Sequence, residues 1–329
     1  MRFTTVLTAI AAAMLLVVAP AGAQQKKIIK LSHSHQANLD SEIHTAALEI
    51  EKYVAANSKT LEVKIYPANA LGQERDVYEG IQLGSGASCV ISGTAILNNF
   101  NKRVGVLDLP FVWKDYDHVH KVLDGAVGNT LAKELEGANL KVLAWMDSWG
   151  YRNVVTAKKE VKTVADLKGL KIRTIQTPTY VATLNVLGAN ATPMAFGEVY
   201  SAMQTGVLDG FEHGASVTLA QKFYEVSKYI TLTKHLFGPL VMACSLKEWN
   251  ALSADEKDVL QKAAWRGRDV QRAAAPTEEA KAFDQLKAKG MIVNPINLTS
   301  IMPAVNKLQE DFAKDLGAGD LLVQIKAAR

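Results

Sequence analysis

The stretch GYRNVVTAKKEVKTVADLKGLKIR, residues 150–173, carries an arginine near each end, Arg152 and Arg173, each beside an apolar, strand-like run. A guanidinium presents a planar fork of donors that fits a carboxylate through two parallel hydrogen bonds. One charge-assisted hydrogen bond contributes about 1.5–3 kcal/mol net. Two arginines on one carboxylate would therefore supply much of the roughly 8 kcal/mol that micromolar binding requires. A surface strand also tolerates arginine anywhere, so the spacing alone leaves surface decoration open beside a grip on one anion.

A second constellation is SHSH, which sets His33 and His35 two apart at the end of a strand, with His44 nearby. Alternate residues of a strand share a face, and such a pair can ligate zinc or another metal. That is the basis for one alternative reading, a secreted metal-dependent hydrolase. The competing reading is a polar strand-to-helix loop, some of whose residues line a cleft. The other histidines, His118, His120, His213 and His235, form no matching pattern. Common catalytic signatures are missing: there is no G-x-S-x-G, H-E-x-x-H or G-x-x-x-x-G-K, and Gly84 and Gly86 make only a G-x-G. These absences count against many hydrolases and nucleotide enzymes.

The elements that must position these residues follow from the hydrophobic patterning. Residues 6–19 (VLTAIAAAMLLVVA) form an apolar run after Arg2, followed by Ala21-Gly22-Ala23. The run is shorter than the roughly 20 residues of a membrane span and fits a secretory leader cut after Ala23. The mature chain is expected to be exported, soluble and periplasmic, with no direct membrane insertion. The net charge of +4, one unit of which leaves with Arg2, is too small to argue for nucleic acid. Cys89 and Cys244 lie in GASCVIS and LVMACSL, contexts typical of buried thiols. Export permits a disulfide, but unbridged thiols are the expected state.

Strands are expected at 27–32, 61–66 and 87–91, with helices at 42–55, 74–83 (stopping near Gly84) and 118–135. This rhythm argues for a mostly parallel sheet with helices on its faces. The pattern restarts with strands at 141–145, 152–156, 170–173 and 207–212. Helices at 164–168, 179–187 and 196–204 lie between them. Strands at 229–233 and 240–244 read as a return to the first unit. A long charged helix over 254–289 follows, which Pro276 should kink or split. Without a Gly/Ser linker, the two units should be joined by strands crossing more than once, a hinge with a cleft between its halves.

Several stretches resemble the solute-binding proteins of tripartite ATP-independent periplasmic (TRAP) transporters, the DctP-like family. They are YPANALGQERDVYEGIQLG (66–84), LDLPFVWKDYDHVHKVLDG (107–125), TVADLKGLKIR (163–173), GANATPMAFGEVYSAMQTGVLDGFEH (188–213) and AQKFYEVSKYITLTKH (220–235). The likeness covers nearly the whole mature chain. It implies an α/β, two-lobed periplasmic-binding-protein fold: two α/β domains joined by crossing hinge strands, with a long helix spanning both. It also implies an organic acid in the cleft. By this resemblance Arg173, closing KGLKIR, is the main carboxylate clamp, and Arg152 in GYRN is a second ligand contact. Phe196 in PMAF would pack on the ligand, or else join a core with Val199 and Met203. His213 falls where the pattern often has asparagine. Glu74 and Arg75 open a helix where relatives touch the ligand's far end, although an acid in a first helical turn also has a purely local use. Ser34, His33 and His35 sit where the first strand's loop meets the ligand. Trp149, where many relatives carry asparagine, would stack on the ligand or wall off the cleft. Asp147 would accept ligand hydroxyls or simply be a capping carboxylate.

The resulting expectation is a monomeric binding protein that is not an enzyme and requires no cofactor. Its partners would be a small organic acid and the TRAP membrane subunits. A hydroxylated sugar acid such as a uronate or aldonate is favoured; a C4-dicarboxylate, a 2-keto acid or an aromatic acid stay open, as does a sensory role for the same fold. The first lobe is expected over 24–146 plus about 234–265. The second lobe, with the spanning helix, is expected over 147–233 plus about 266–329.

Overall fold

A computed structural model of the protein describes residues 25–147 and 150–329. The leader and its cleavage after Ala23 lie outside the described residues, as does Trp149. Eleven strands appear among the described residues, in the order β1 (Lys27–Ser32), β2 (Leu61–Tyr66), β3 (Cys89–Gly93), β4 (Leu140–Met146), β5 (Arg152–Thr156), β6 (Lys171–Thr174), β7 (Asn190–Pro193), β8 (Gly210–His213), β9 (Tyr229–Leu236), β10 (Leu240–Ser245) and β11 (Ile292–Pro295). They make two sheets, β2-β1-β3-β10-β4 and β11-β9-β5-β8-β6-β7. Both sheets are mixed rather than mostly parallel. In the first, β10 runs antiparallel to β3 and β4; in the second, β5 runs antiparallel to β8 and β9. The returning strand that patterning cannot orient by itself is what introduces the antiparallel pairs.

Period-two alternation explains how each sheet buries both faces. In β5, Val154 enters a core with Ile172 and Leu184, and Val155 enters the opposite core with Phe211 and Ile230. In β10, Val241 and Ala243 face one core of the first sheet, while Leu240, Met242 and Cys244 face the other. Cys89 of β3 belongs to that second face and stands directly opposite Cys244. The two are joined by a disulfide, contrary to the expectation of free thiols. An apolar context marks burial equally well for a thiol and for a bridge. Only the register, which brings two positions 155 apart in sequence into one antiparallel pair, decides between them.

The chain passes between sheets from β4 to β5, back from β9 to β10, and again through a 35-residue helix, Ala254–Ala288. Both strand crossings carry a glycine with positive φ, Gly150 at 83° and Gly238 at 63°. A Cβ on Gly238 would stand 2.6 Å from the Tyr180 hydroxyl, and one on Gly150 2.7 Å from the Glu279 carboxyl carbon. A larger residue at either crossing would have to be both strained and displaced. Of the two strands expected to return to the first unit, β10 does; β9 instead pairs with β5 and β11 in the second sheet.

The long helix begins at a capping box formed by Ser253 and Glu256 and is not split at Pro276. Proline removes one donor from the ladder, but buried Gln271, Ala275, Ala282 and Leu286 anchor the helix on both sides of it. It packs against helix Glu42–Asn57 and β4 at one end and against helix Ala215–Ala220 and β11 at the other, so it braces the two lobes together. The single helix expected over 118–135 is two, Tyr116–Leu123 and Ala126–Glu136, broken at Asp124-Gly125. The strand expected from Val207 starts at Gly210, because the amides of Val207 and Leu208 turn back to the Ala202 carbonyl. Helices Met302–Asp315 and Gly319–Ala327 set Ala313, Leu321 and Ile325 into the core on the first sheet.

Candidate functional site

The loop leaving β1 and the helix Glu74–Leu83 present Ser34, His35 and Glu74 from the first sheet. Arg173 of β6, Ile175, Phe196 and His213 of β8 come from the second. These seven residues line a narrow pocket. A neighbouring pocket shares Glu74, Arg173, Ile175 and Phe196 and adds Gln73, Arg75 and Met194. Segments far apart in sequence meet here because the ends of β1, β6 and β8 face one another across the hinge.

Arg173 is 3% exposed. Its Nε and Nη2 donate to the Met194 carbonyl at 2.9 and 2.6 Å, and Met194 is in turn pinned to β6 by its own amide on the Thr174 carbonyl. Two of the five guanidinium N–H groups are thus spent on orientation, and the end of the fork stays available. Burial lowers its pKa to about 10, with Glu212 and Glu74 opposing the fall, so it is cationic at neutral pH. Phe196, half-buried, lies 5.8 Å from that guanidinium and 5.5 and 5.8 Å from the rings of His213 and His35.

His213 accepts the Gly214 amide on Nδ1 at 2.9 Å. Burial, then the charge of Arg152, pushes its pKa well down, so the ring is neutral with its proton on Nε2, a donor. Glu74 accepts the Ser92 hydroxyl at 2.5 Å. Burial raises its carboxyl, against the hydroxyls of Ser92 and Ser34 and the charge of Arg173. The cavity therefore offers one cation, one carboxylate, a neutral imidazole donor, a hydroxyl and an aromatic face.

The other sequence-predicted residues are placed differently. Arg152 is fully buried and clasped side-on by Glu212, with Nε–Oε2 at 2.5 Å and Nη2–Oε1 at 2.9 Å, over the Tyr180 ring at 5.3 Å. Burial works against the Glu212 charge, but Arg152 and His235 outweigh it and hold its pKa at about 2. Asp147 is buried on the long-helix side, accepting from His120 at 2.7 Å and paired with Gln271 through its backbone. Arg75 is exposed on the outer rim and bridges Glu79 at 3.0 Å. Sequence reasoning passed over Glu212 and Ser92. A lone acid in the buried run GFEH is a signal that a cation must lie beside it, but nothing in the sequence says which.

The metal-dependent hydrolase is not supported. His33 Nε2 pairs with His44 Nδ1 at 3.1 Å, while His35 Nδ1 pairs with the Ser41 hydroxyl at 3.1 Å. The strand ends at Ser32, so the alternation that would aim both rings at one point has stopped before them. Among the described residues no group of three or more metal-ligating side chains is present.

Behind the cleft, Glu42 opens helix Glu42–Asn57 near Ser216 and Gln271. Burial raises its pKa to about 8, with the Ser216 and Gln271 side chains opposing and Glu279 adding to the rise. A carboxyl raised in the folded state contributes stability that is complete in acid and lost as pH rises through the folded value. Unfolding free energy is therefore expected to fall across the window from the ordinary carboxyl value of 4.5 up to about pH 8, by at most about 1.4 kcal/mol per unit from this group, and to level off above it. Asp108, raised to about 7 chiefly by burial, adds to the loss within the same window, up to about pH 7. Urea titrations at pH 6, 7, 8 and 9 should show the decline, and Glu42→Gln should flatten it; an unchanged slope in that variant would refute the assignment.

Residues 33–315 match the family model described as bacterial extracellular solute-binding protein, family 7. The 2,3-diketo-L-gulonate-binding periplasmic protein YiaO of Escherichia coli is 34% identical over 283 residues, 85% of this chain and 86% of that protein. A TRAP periplasmic solute-binding protein from Bradyrhizobium, solved with galacturonate, superposes with TM-score 0.86 at 33% identity, covering 92% of this chain and 100% of that one. The sugar-acid-binding protein DctPAm of Advenella mimigardefordensis, solved with galactonate, gives TM-score 0.86 at 30% identity over 93% and 99%.

Proposed function

The chain belongs to the bacterial extracellular solute-binding proteins of family 7, and on that premise we propose that it binds a hydroxylated monocarboxylic acid, a uronate or aldonate, between its lobes. Arg173 holds the ligand's carboxylate, Phe196 packs on its carbon chain, and His213, Ser34, His35 and Glu74 read its hydroxyls. Arg152 offers the ligand no free fork, because Glu212 occupies its side and neutralises its charge, and it acts by holding the β5–β8 wall behind Arg173. The closed protein hands the acid to TRAP membrane subunits from the periplasm, and no bond is broken. Among the described residues no helix is long and apolar enough to cross a membrane, in keeping with a partner that supplies the membrane path.

The observation that carries this reading is the convergence of Arg173 with uncharged and acidic hydrogen-bonding groups in one interlobe cavity. Residues from both lobes line it, so a ligand bridging them favours the closed state by its differential affinity. The relatives solved with galacturonate and galactonate support the ligand class. The test is a thermal-shift panel of uronates, aldonates, C4-dicarboxylates, 2-keto acids and aromatic acids, together with mass spectrometry of the small molecule that copurifies. Uronates or aldonates are expected to give the largest stabilisation. A panel in which none of them stabilises while another acid does would replace the reading.

A further inference from the structure

Four charged groups gather at the cleft: the guanidiniums of Arg152 and Arg173 and the carboxylates of Glu212 and Glu74. Arg152 and Glu212 neutralise one another in direct bidentate contact. Arg173 and Glu74 do not share such a contact. They line the same two cavities from opposite lobes, Arg173 from β6 of the second sheet and Glu74 from the first turn of the helix that follows β2. A ligand whose carboxylate sits on Arg173 must therefore present its remaining groups toward Glu74.

We propose that Glu74 is the specificity-determining residue of the cleft, excluding a second ligand carboxylate and selecting a hydroxyl donor at the end of the ligand away from Arg173. The inference rests on the function proposed above and names what that site rejects. An ionised carboxylate is an acceptor only. One of its oxygens already receives the Ser92 hydroxyl at 2.5 Å, and what remains open to the cavity can only accept. A ligand hydroxyl meets that requirement. A second carboxylate brings no proton and sets two like charges side by side in a narrow pocket, an arrangement that interfaces use to suppress wrong partners.

Opposing influences act on the charge of Glu74. Arg173 of β6 and, farther off, Arg152 of β5 oppose protonation of Glu74, as do the hydroxyls of Ser92 on β3 and Ser34 on the loop after β1. The N-terminal position on its helix adds the positive end of the helix dipole. Burial pulls the other way and is the larger influence, so the pKa is raised above the ordinary carboxyl value. Phe196 and Ile175 add uncharged walls, and Arg75, which lines the neighbouring pocket, is paired with Glu79.

D-galactonate and galactarate test this directly, because they share one carbon chain and differ at C6, a hydroxymethyl in one and a carboxylate in the other. Calorimetry on the intact protein is expected to show galactonate bound at least about 100-fold more tightly. Glu74→Gln, nearly isosteric and uncharged, should narrow that ratio by about tenfold or more, mainly by gaining affinity for galactarate. Glu74→Asp keeps the charge and should keep the discrimination even if both affinities fall, an outcome that a steric role would not give. Binding of galactonate with a ratio that Glu74→Gln leaves unmoved overturns the proposal alone. Binding of neither acid by the wild type overturns the sugar-acid reading and the proposal with it.

Discussion

Replacing Arg173 by alanine is expected to lower ligand affinity by about 10²–10⁴-fold and to erase ligand-induced thermal stabilisation. Two charge-assisted hydrogen bonds of about 1.5–3 kcal/mol each set that range. The loss should be large because, among the described residues, no other cation lines the pocket around Arg173, and Arg75 in the neighbouring pocket bridges Glu79. Arg152 is held side-on by Glu212, and His213 and His35 are driven neutral by burial. Arg173→Lys keeps a cation but loses the planar pair of donors, so it should fall between wild type and alanine. Both variants also give up the two bonds to the Met194 carbonyl, so folding must be checked by urea unfolding alongside calorimetry. Tight binding retained by a folded Arg173→Ala protein would remove the clamp.

The largest effect on stability is expected at Glu212, which no ligand need touch. Its carboxylate takes Arg152 through two nitrogens, Thr174 Oγ1 at 3.1 Å and, at 3.5 Å, His235. Both side chains of the ion pair are 0% exposed. Removing one partner strands the other charge in a low-dielectric interior, a loss of about 3–5 kcal/mol. Glu212→Ala should cost that much in urea unfolding, whereas replacing both partners with apolar residues, Arg152→Met with Glu212→Leu, should recover a large part of it. A single variant within about 1 kcal/mol of wild type would show that the interior hydrates the stranded guanidinium. The double variant also separates structure from function: if the Arg152–Glu212 pair only supports the site, ligand affinity should weaken far less than in Arg173→Ala.

The strands closest to their expected bounds share one property. In β1, β2 and β5 the apolar pattern and the flanking breakers agree. Helix Glu74–Leu83 likewise starts at a capping box and stops at Gly84, which adopts the left-handed conformation the sequence suggests. The misread elements lack that agreement. β7, with the short run NATP, pairs only on one side, with β6, and has no apolar alternation to announce it. Asp124-Gly125 interrupts a helical pattern whose periodicity continues on both sides.

The candidate site shows the same division. Arg173, Phe196, His213, Ser34, His35 and Glu74 were legible through motifs and meet around one cavity. Asp147 and Arg75 carry equally polar side chains in equally suggestive stretches, yet one turns to the long helix and the other to the rim. Residue type and local pattern therefore determined a two-lobed α/β chain, its strands and caps, and a set of groups able to grip an acid. Which of those groups keep their donors free was decided only by tertiary packing. A buried charge must find its counter-charge wherever the fold brings one, and for Arg152 that partner is Glu212, 60 residues away on the neighbouring strand.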